Sequence, residues 1–184
     1  MNGSLWGMSR PPLSRRFATR TAAVLAAGLV VVGLSACTQT VSLEPAESAA
    51  DPACADIIVS LPLVLPSDAE NQDIRQTDAQ ATAAWGSPAS ILLRCGIAPQ
   101  GPTTLPCLNV NGIDWVEDDS KAPNYRFVTY GRVPTTEVII DYDVVSGTST
   151  LVDLGPAISK IPQTNKCLGA EDTLDLPTDA PSAG

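Results

Sequence analysis

CLNVNGIDWV, Cys107–Val116, is the stretch on which the fold turns. Asn111-Gly112 lies between two apolar stretches, and both residues accept positive φ, so the decapeptide reads as a β-hairpin with a tight turn. The alternative is one strand with a bulge at Gly112. Working outward, Tyr125–Tyr130 and Thr136–Val144 read as strands, with Gly131-Arg132-Val133-Pro134 turning between them. In the last strand Val138, Ile140 and Tyr142 share one face, and Glu137, Ile139, Asp141 and Asp143 share the other. That alternation fits an antiparallel sheet with one face on a core. Upstream, Ser90–Ile97 (SILLRCGI) is a strand bounded by Pro88 and Pro99.

Helices flank these strands. Asp51-Pro52 opens one with an acidic N-cap and Pro at the first turn, and Pro62 ends it. Asp78–Trp85, with four alanines and Gly86 as a stop, reads as a second short helix. Thr148–Ile161 reads as a third, with a break near Gly155-Pro156. Helices, then strands, then a helix imply an α+β fold: a small antiparallel sheet of about four to five strands with helices packed on one face.

The ends have a different character. Residues 1–20 carry Arg10, Arg15, Arg16 and Arg20 and no acid, and Ala22–Leu34 is a thirteen-residue apolar run. A membrane-spanning helix needs roughly 20 apolar residues, so the run is too short to cross a bilayer. A basic start, a short apolar core and then small residues form the layout of a secretory signal peptide, here residues 1–36. Leu34-Ser35-Ala36-Cys37 resembles the bacterial lipobox. In lipoproteins of that type the Cys thiol takes a diacylglyceryl group and the chain is cut before it, which makes Cys37 the expected lipidation site and first mature residue. Ser14-Arg15-Arg16-Phe17 resembles a twin-arginine export signal without its usual spacer, and the export route is not decided by it.

Four of the 11 basic residues and none of the 20 acids lie before Cys37, so the mature chain carries seven basic and 20 acidic side chains, a net of −13. Nucleic acid and anionic lipid headgroups would both repel it, so attachment to a membrane would rest on the lipid. Residues 37–52, rich in Ser, Thr, Ala, Glu and Pro, read as a flexible tether, and residues 169–184 as an acidic disordered tail. Residues 53–168 remain as a single domain.

With Cys37 assigned to lipid, Cys54, Cys95, Cys107 and Cys167 remain, and an even count in an exported domain favours two disulfides. Three pairings are possible. Cys54–Cys95 with Cys107–Cys167 is preferred, because each bond then clips a helix or terminal segment to a strand. A metal site or redox dithiol would want the C-x-x-C spacing that is missing.

The chain has no His. That removes Ser-His and Cys-His nucleophile pairs and H-E-x-x-H zinc sites. No Walker loop, dinucleotide fingerprint or cofactor motif is present. Carboxylates remain: Glu117-Asp118-Asp119, Asp114, Asp141 and Asp143 could serve as an acid–base pair on a glycan or bind Ca²⁺, against the plainer reading of a solvated acidic surface. Trp85 and Trp115 flank turns and are either caps of the core or an aromatic platform for a ligand. Arg132, in a turn, could present paired donors to a carboxylate or phosphate. Arg94, inside an apolar strand, needs a carboxylate partner, and Asp114 is the expected one.

W-G-x-P at Trp85, L-L-R-C-G-I at Leu92, V-N-G-I-D-W at Val110, Y-x-F-x-T-Y-G-R-V-P at Tyr125 and L-V-D-L-x-P-A-I at Leu151 run in that order. As a set, over Cys54 to Ile161, they resemble an actinobacterial family of lipoproteins and secreted proteins, domain of unknown function 3515. The resemblance supports the Cys54–Cys95 pairing, marks Cys107 and Cys167 as additions, and implies an extracytoplasmic address without a mechanism.

The expectation is a membrane-anchored extracytoplasmic lipoprotein on the outer face of the cytoplasmic membrane. It would be a non-catalytic binding or accessory module of the cell envelope, with an envelope protein or glycan as partner. The alternative is a carboxylate-based envelope enzyme acting on glycan, or a calcium-dependent ligand-binding domain.

Overall fold

A computed structural model describes residues 39–67 and 70–167. Cys37, the signal segment and the acidic tail lie outside the described residues.

The strands are β1 (Val64–Leu65), β2 (Gln72–Arg75), β3 (Thr82–Trp85), β4 (Ile91–Ile97), β5 (Cys107–Val110), β6 (Ile113–Asp118), β7 (Asn124–Thr129) and β8 (Thr135–Asp141). The helices are α1 (Pro52–Ile58) and α2 (Gly147–Ile158). The strands form one antiparallel sheet in the order β1-β2-β3-β4-β8-β7-β6-β5. The expected small sheet of four to five strands under a helical layer is therefore corrected. The described residues form mainly an eight-stranded antiparallel sheet with two short helices.

Three strands account for the difference. β1 and β2 are short, and QDIR carries no clear apolar alternation. β3 falls inside the stretch expected to be a helix, Asp78–Trp85. There the alanines favour helix locally, but tertiary packing overrides that preference: Ala83, Ala84 and Trp85 are all buried as the strand pairs with β4 from Thr82↔Arg94 to Trp85↔Ile91. The third expected helix is real but runs through Gly155-Pro156 without a break, burying Leu151, Leu154, Ala157 and Ile158.

The hairpin at the centre of the sequence reading forms as a two-residue turn. Asn111 has φ +48° and Gly112 φ +82°, Val110 pairs with Ile113, and the Asn109 side chain accepts from Gly112 N. Helix α1 starts at its expected cap, with Asp51 Oδ1 accepting from Ala53 N at 2.9 Å.

Alternation along the strands makes two faces. Ala83, Trp85, Ile91, Leu93, Cys95, Val138, Ile140, Phe127, Ile113 and Trp115 point one way and form the core with Cys54 and Ile57 of α1 and the apolar side of α2. Leu92, Arg94, Glu137, Ile139, Arg126, Val128 and Val116 point the other way. Cys54 bonds Cys95 and Cys107 bonds Cys167, with Cα–Cα distances of 5.6 and 6.3 Å. The first ties α1 to the centre of the sheet, and the second ties the C-terminal segment to β5.

The stretch read as a flexible tether departs from expectation. From Gln39 onward it is a strap held along the sheet. Val41 N donates to Gln76 O at 2.8 Å, and Val41 forms a parallel bridge with Thr77. Leu43 N and Ser42 Oγ donate to the Asp78 carboxylate at 2.9 and 2.7 Å, which holds its pKa below the ordinary range. Ser48 N donates to Gly96 O at 2.9 Å. Gly96 has φ +96°, and a Cβ there would lie 2.5 Å from Ser48 C, so the strap's close approach requires glycine. These links use backbone groups, one serine hydroxyl and one aspartate, which composition does not reveal.

Candidate functional site

The second face of the sheet carries the most developed polar constellation. Arg94 and Glu137 are directly opposed on β4 and β8, and Glu137 lies diagonally from Arg126 on β7. Arg94 Nε and Nη2 donate to Glu137 Oε2 at 3.0 and 2.6 Å, and Arg126 Nε donates to Oε1. The Glu137 side chain is 5 % exposed, while the two guanidinium groups are about a third exposed. One carboxylate is thus clamped between two cations whose side chains remain partly exposed. Asp118, across from Arg126 on β6, adds a further negative charge. Its carboxyl is held below the ordinary range first by the Ser120 side chain and backbone and then, more weakly, by Arg126.

The strap closes one side of this constellation. Leu43 and Glu44 line a cleft of about 140 Å³ with Leu92, Arg94, Glu137 and Ile139. The lining combines apolar side chains with Arg94, Glu137 and Glu44, which suits recognition of a mixed apolar and polar group. Both Glu137 oxygens are already engaged by guanidinium groups, so its role is to orient the arginines.

Arg94 therefore finds a carboxylate, but the expected partner, Asp114, is corrected to Glu137. The reason is register. Arg94 and Glu137 share a face on adjacent strands, whereas Asp114 lies on β6, at the other end of the sheet. There Asp114 is consumed locally, accepting from Asn109 Nδ2 at 2.6 Å, Gln163 Nε2 at 2.8 Å and Cys167 N at 2.9 Å. It organises the C-terminal segment beside the Cys107–Cys167 bond.

The three candidate ligand contacts are not brought together on the surface. Trp85 and Trp115 are both 0 % exposed and belong to the core, with Trp85 Nε1 donating to Pro62 O. An indole flanking a turn carries enough apolar area for burial to win over display. Arg132 is 7 % exposed; its guanidinium donates to Ile161 O and, at 3.4 Å, to Gly112 O. Burial lowers its pKa and the Asp114 charge opposes that shift. It ties the turn before β8 to the hairpin tip and the segment after α2.

The carboxylates weighed for catalysis or calcium are dispersed. Asp141 Oδ1 accepts from Asp143 N at 3.0 Å within a turn, and Asp118 accepts from Ser120 N at 3.0 Å. Among the described residues no group of three or more His, Cys, Asp or Glu could hold a metal ion, and no helix there is long and apolar enough to cross a membrane.

Sequence reasoning missed Glu137 and Arg126 as site residues. The available signal was the alternation already read in β8, which placed Glu137 on the face away from the core, opposite whichever strand carried Arg94.

The family model described as Protein of unknown function (DUF3515) matches residues 18–166, and the chain belongs to that family. No curated protein and no solved structure matches it.

Proposed function

We propose that this DUF3515 protein is a lipid-anchored, extracytoplasmic lipoprotein. It acts on the outer face of the cytoplasmic membrane as a non-catalytic binding or accessory module of the cell envelope, and the cleft between strap and sheet receives its envelope partner. The observation that carries the reading is the Arg94–Glu137–Arg126 clamp. It places the partly exposed side chains of Arg94 and Arg126 beside Leu92, Ile139 and Leu43, a combination that suits a partner with both apolar and hydrogen-bonding groups. The lipobox at Leu34–Cys37 supports the anchor. The engagement of Glu137, Asp114 and Asp141 in internal bonds supports binding over acid–base chemistry.

The test uses the native lipoprotein in membranes, with photocrosslinking residues at positions 92 and 139. A reproducible crosslink to one envelope protein or glycan, lost in Arg94→Ala/Arg126→Ala, supports the reading. Crosslinks unchanged by that substitution would sink it. Loss of membrane association in Cys37→Ala tests the anchor separately.

A further inference from the structure

Val59, Leu63 and Val64, after helix α1 and on edge strand β1, are 81, 72 and 41 % exposed. They form an apolar edge on a chain whose surface is otherwise strongly acidic. The N-terminal strap arrives at the same edge. Ile74 N donates to Leu63 O at 2.8 Å, the neighbouring Arg75 side chain donates to Gln39 O at 2.7 Å, and Gln76 O accepts from Val41 N at 2.8 Å. Three consecutive residues thus hold the apolar edge and the start of the strap. Cys37 lies two residues before Gln39, a reach of at most about 7 Å.

We infer that the edge formed by Val59, Leu63 and Val64 rests in the bilayer interface beside the lipid on Cys37, which fixes the domain's orientation on the membrane. The inference rests on the proposed lipidation of Cys37. A long free tether would let the domain tumble, but the docked strap leaves only Cys37 and Thr38 between lipid and packed chain. An apolar side chain within that reach gains by leaving water for the headgroup–acyl boundary. The contact needs no anionic lipid, which a chain cut before Cys37, with seven basic and 20 acidic side chains, would avoid. Asp56 and Asp73, both exposed near the patch, limit it to a shallow seat.

The test places an environment-sensitive fluorescent amino acid at position 59 or 63, and at the control positions 108 and 144. Each full-length lipoprotein is reconstituted into phosphatidylcholine vesicles containing nitroxide-labelled lipid. Leu108 and Val144 are also exposed and apolar, and Leu108 is on β5 at the opposite edge of the sheet. Quenching at 59 and 63 at least threefold stronger than at 108 and 144 is the expected result. Equal quenching at all positions, with the N-terminal fragment shown by mass to carry lipid, overturns the orientation and leaves the anchor standing. An unmodified Cys37 overturns both.

Discussion

Replacing Glu137 by Gln tests whether the clamp on the open face is a structural unit. The substitution keeps shape and one acceptor oxygen but removes the charge that satisfies Arg94 and Arg126. Three hydrogen bonds end on this carboxylate. Bonds to a charged group contribute about 1.5–3 kcal/mol each when buried. The guanidinium groups are about a third exposed, so water replaces part of that loss. Two cations left facing each other add a repulsive cost. The expected loss is about 2–3 kcal/mol, a drop of about 1–2 M in the urea midpoint. Replacing all three residues with Met or Leu should cost less than Glu137→Gln alone, because Leu92, Ile139, Val128 and Val116 already make that face apolar. The assay is equilibrium urea unfolding followed by Trp fluorescence, since Trp85 and Trp115 are fully buried. A loss under about 0.5 kcal/mol for Glu137→Gln would mean a solvated ion pair of little consequence. The clamp would then not be a structural unit, and the reading that Glu137 serves to orient the two arginines would fail.

The two disulfides close loops of 41 and 60 residues, for which chain entropy gives about 4 kcal/mol each. Cys54→Ala/Cys95→Ala should cost more than Cys107→Ala/Cys167→Ala, because only the first pair is fully buried and leaves a cavity; parallel urea melts decide. Gly112→Ala should cost about 1 kcal/mol from its positive φ alone, since nothing lies within 4 Å. Gly96→Ala should in addition release the strap, seen as faster hydrogen exchange at Val41 and Ser48. Tyr142, stacked on Tyr125 at 4.0 Å, has its pKa raised to about 12 by burial first, with the Glu117 charge and Tyr125 adding to it. The fold favours the neutral phenol, so this stabilisation is complete below pH 10 and declines as pH rises from about 10 to about 12. Tyr142→Phe should flatten that decline in urea midpoints measured across the range.

Local chemistry was legible in the sequence. Asn111-Gly112 announces its turn because few residue pairs tolerate two positive φ values, and Asp51-Pro52 announces a helix start because cap and ring geometry are local. Alternation in Thr136–Val144 separated Val138 and Ile140 from Glu137 and Ile139. The cysteine count and the motif order led to the disulfide pairs and to the family. Composition alone set the net charge, and the absence of His removed imidazole chemistry.

Tertiary structure decided everything that depends on which strand lies beside which. Asp78–Trp85 has local signals for a helix, yet its last four residues extend as β3 because pairing with β4 buries Trp85, an energy no local window contains. The partner of Arg94 is Glu137, 43 residues away, because antiparallel register sets them face to face. The strap of residues 39–50 looked unstructured because its anchors are mostly backbone groups, held by the Asp78 carboxylate, the Arg75 guanidinium and a bare glycine surface. Hydrophobic pattern reports which side of a strand is dry. It carries no information on long-range pairing, where the cost of closing loops is met only by contacts the assembled sheet supplies.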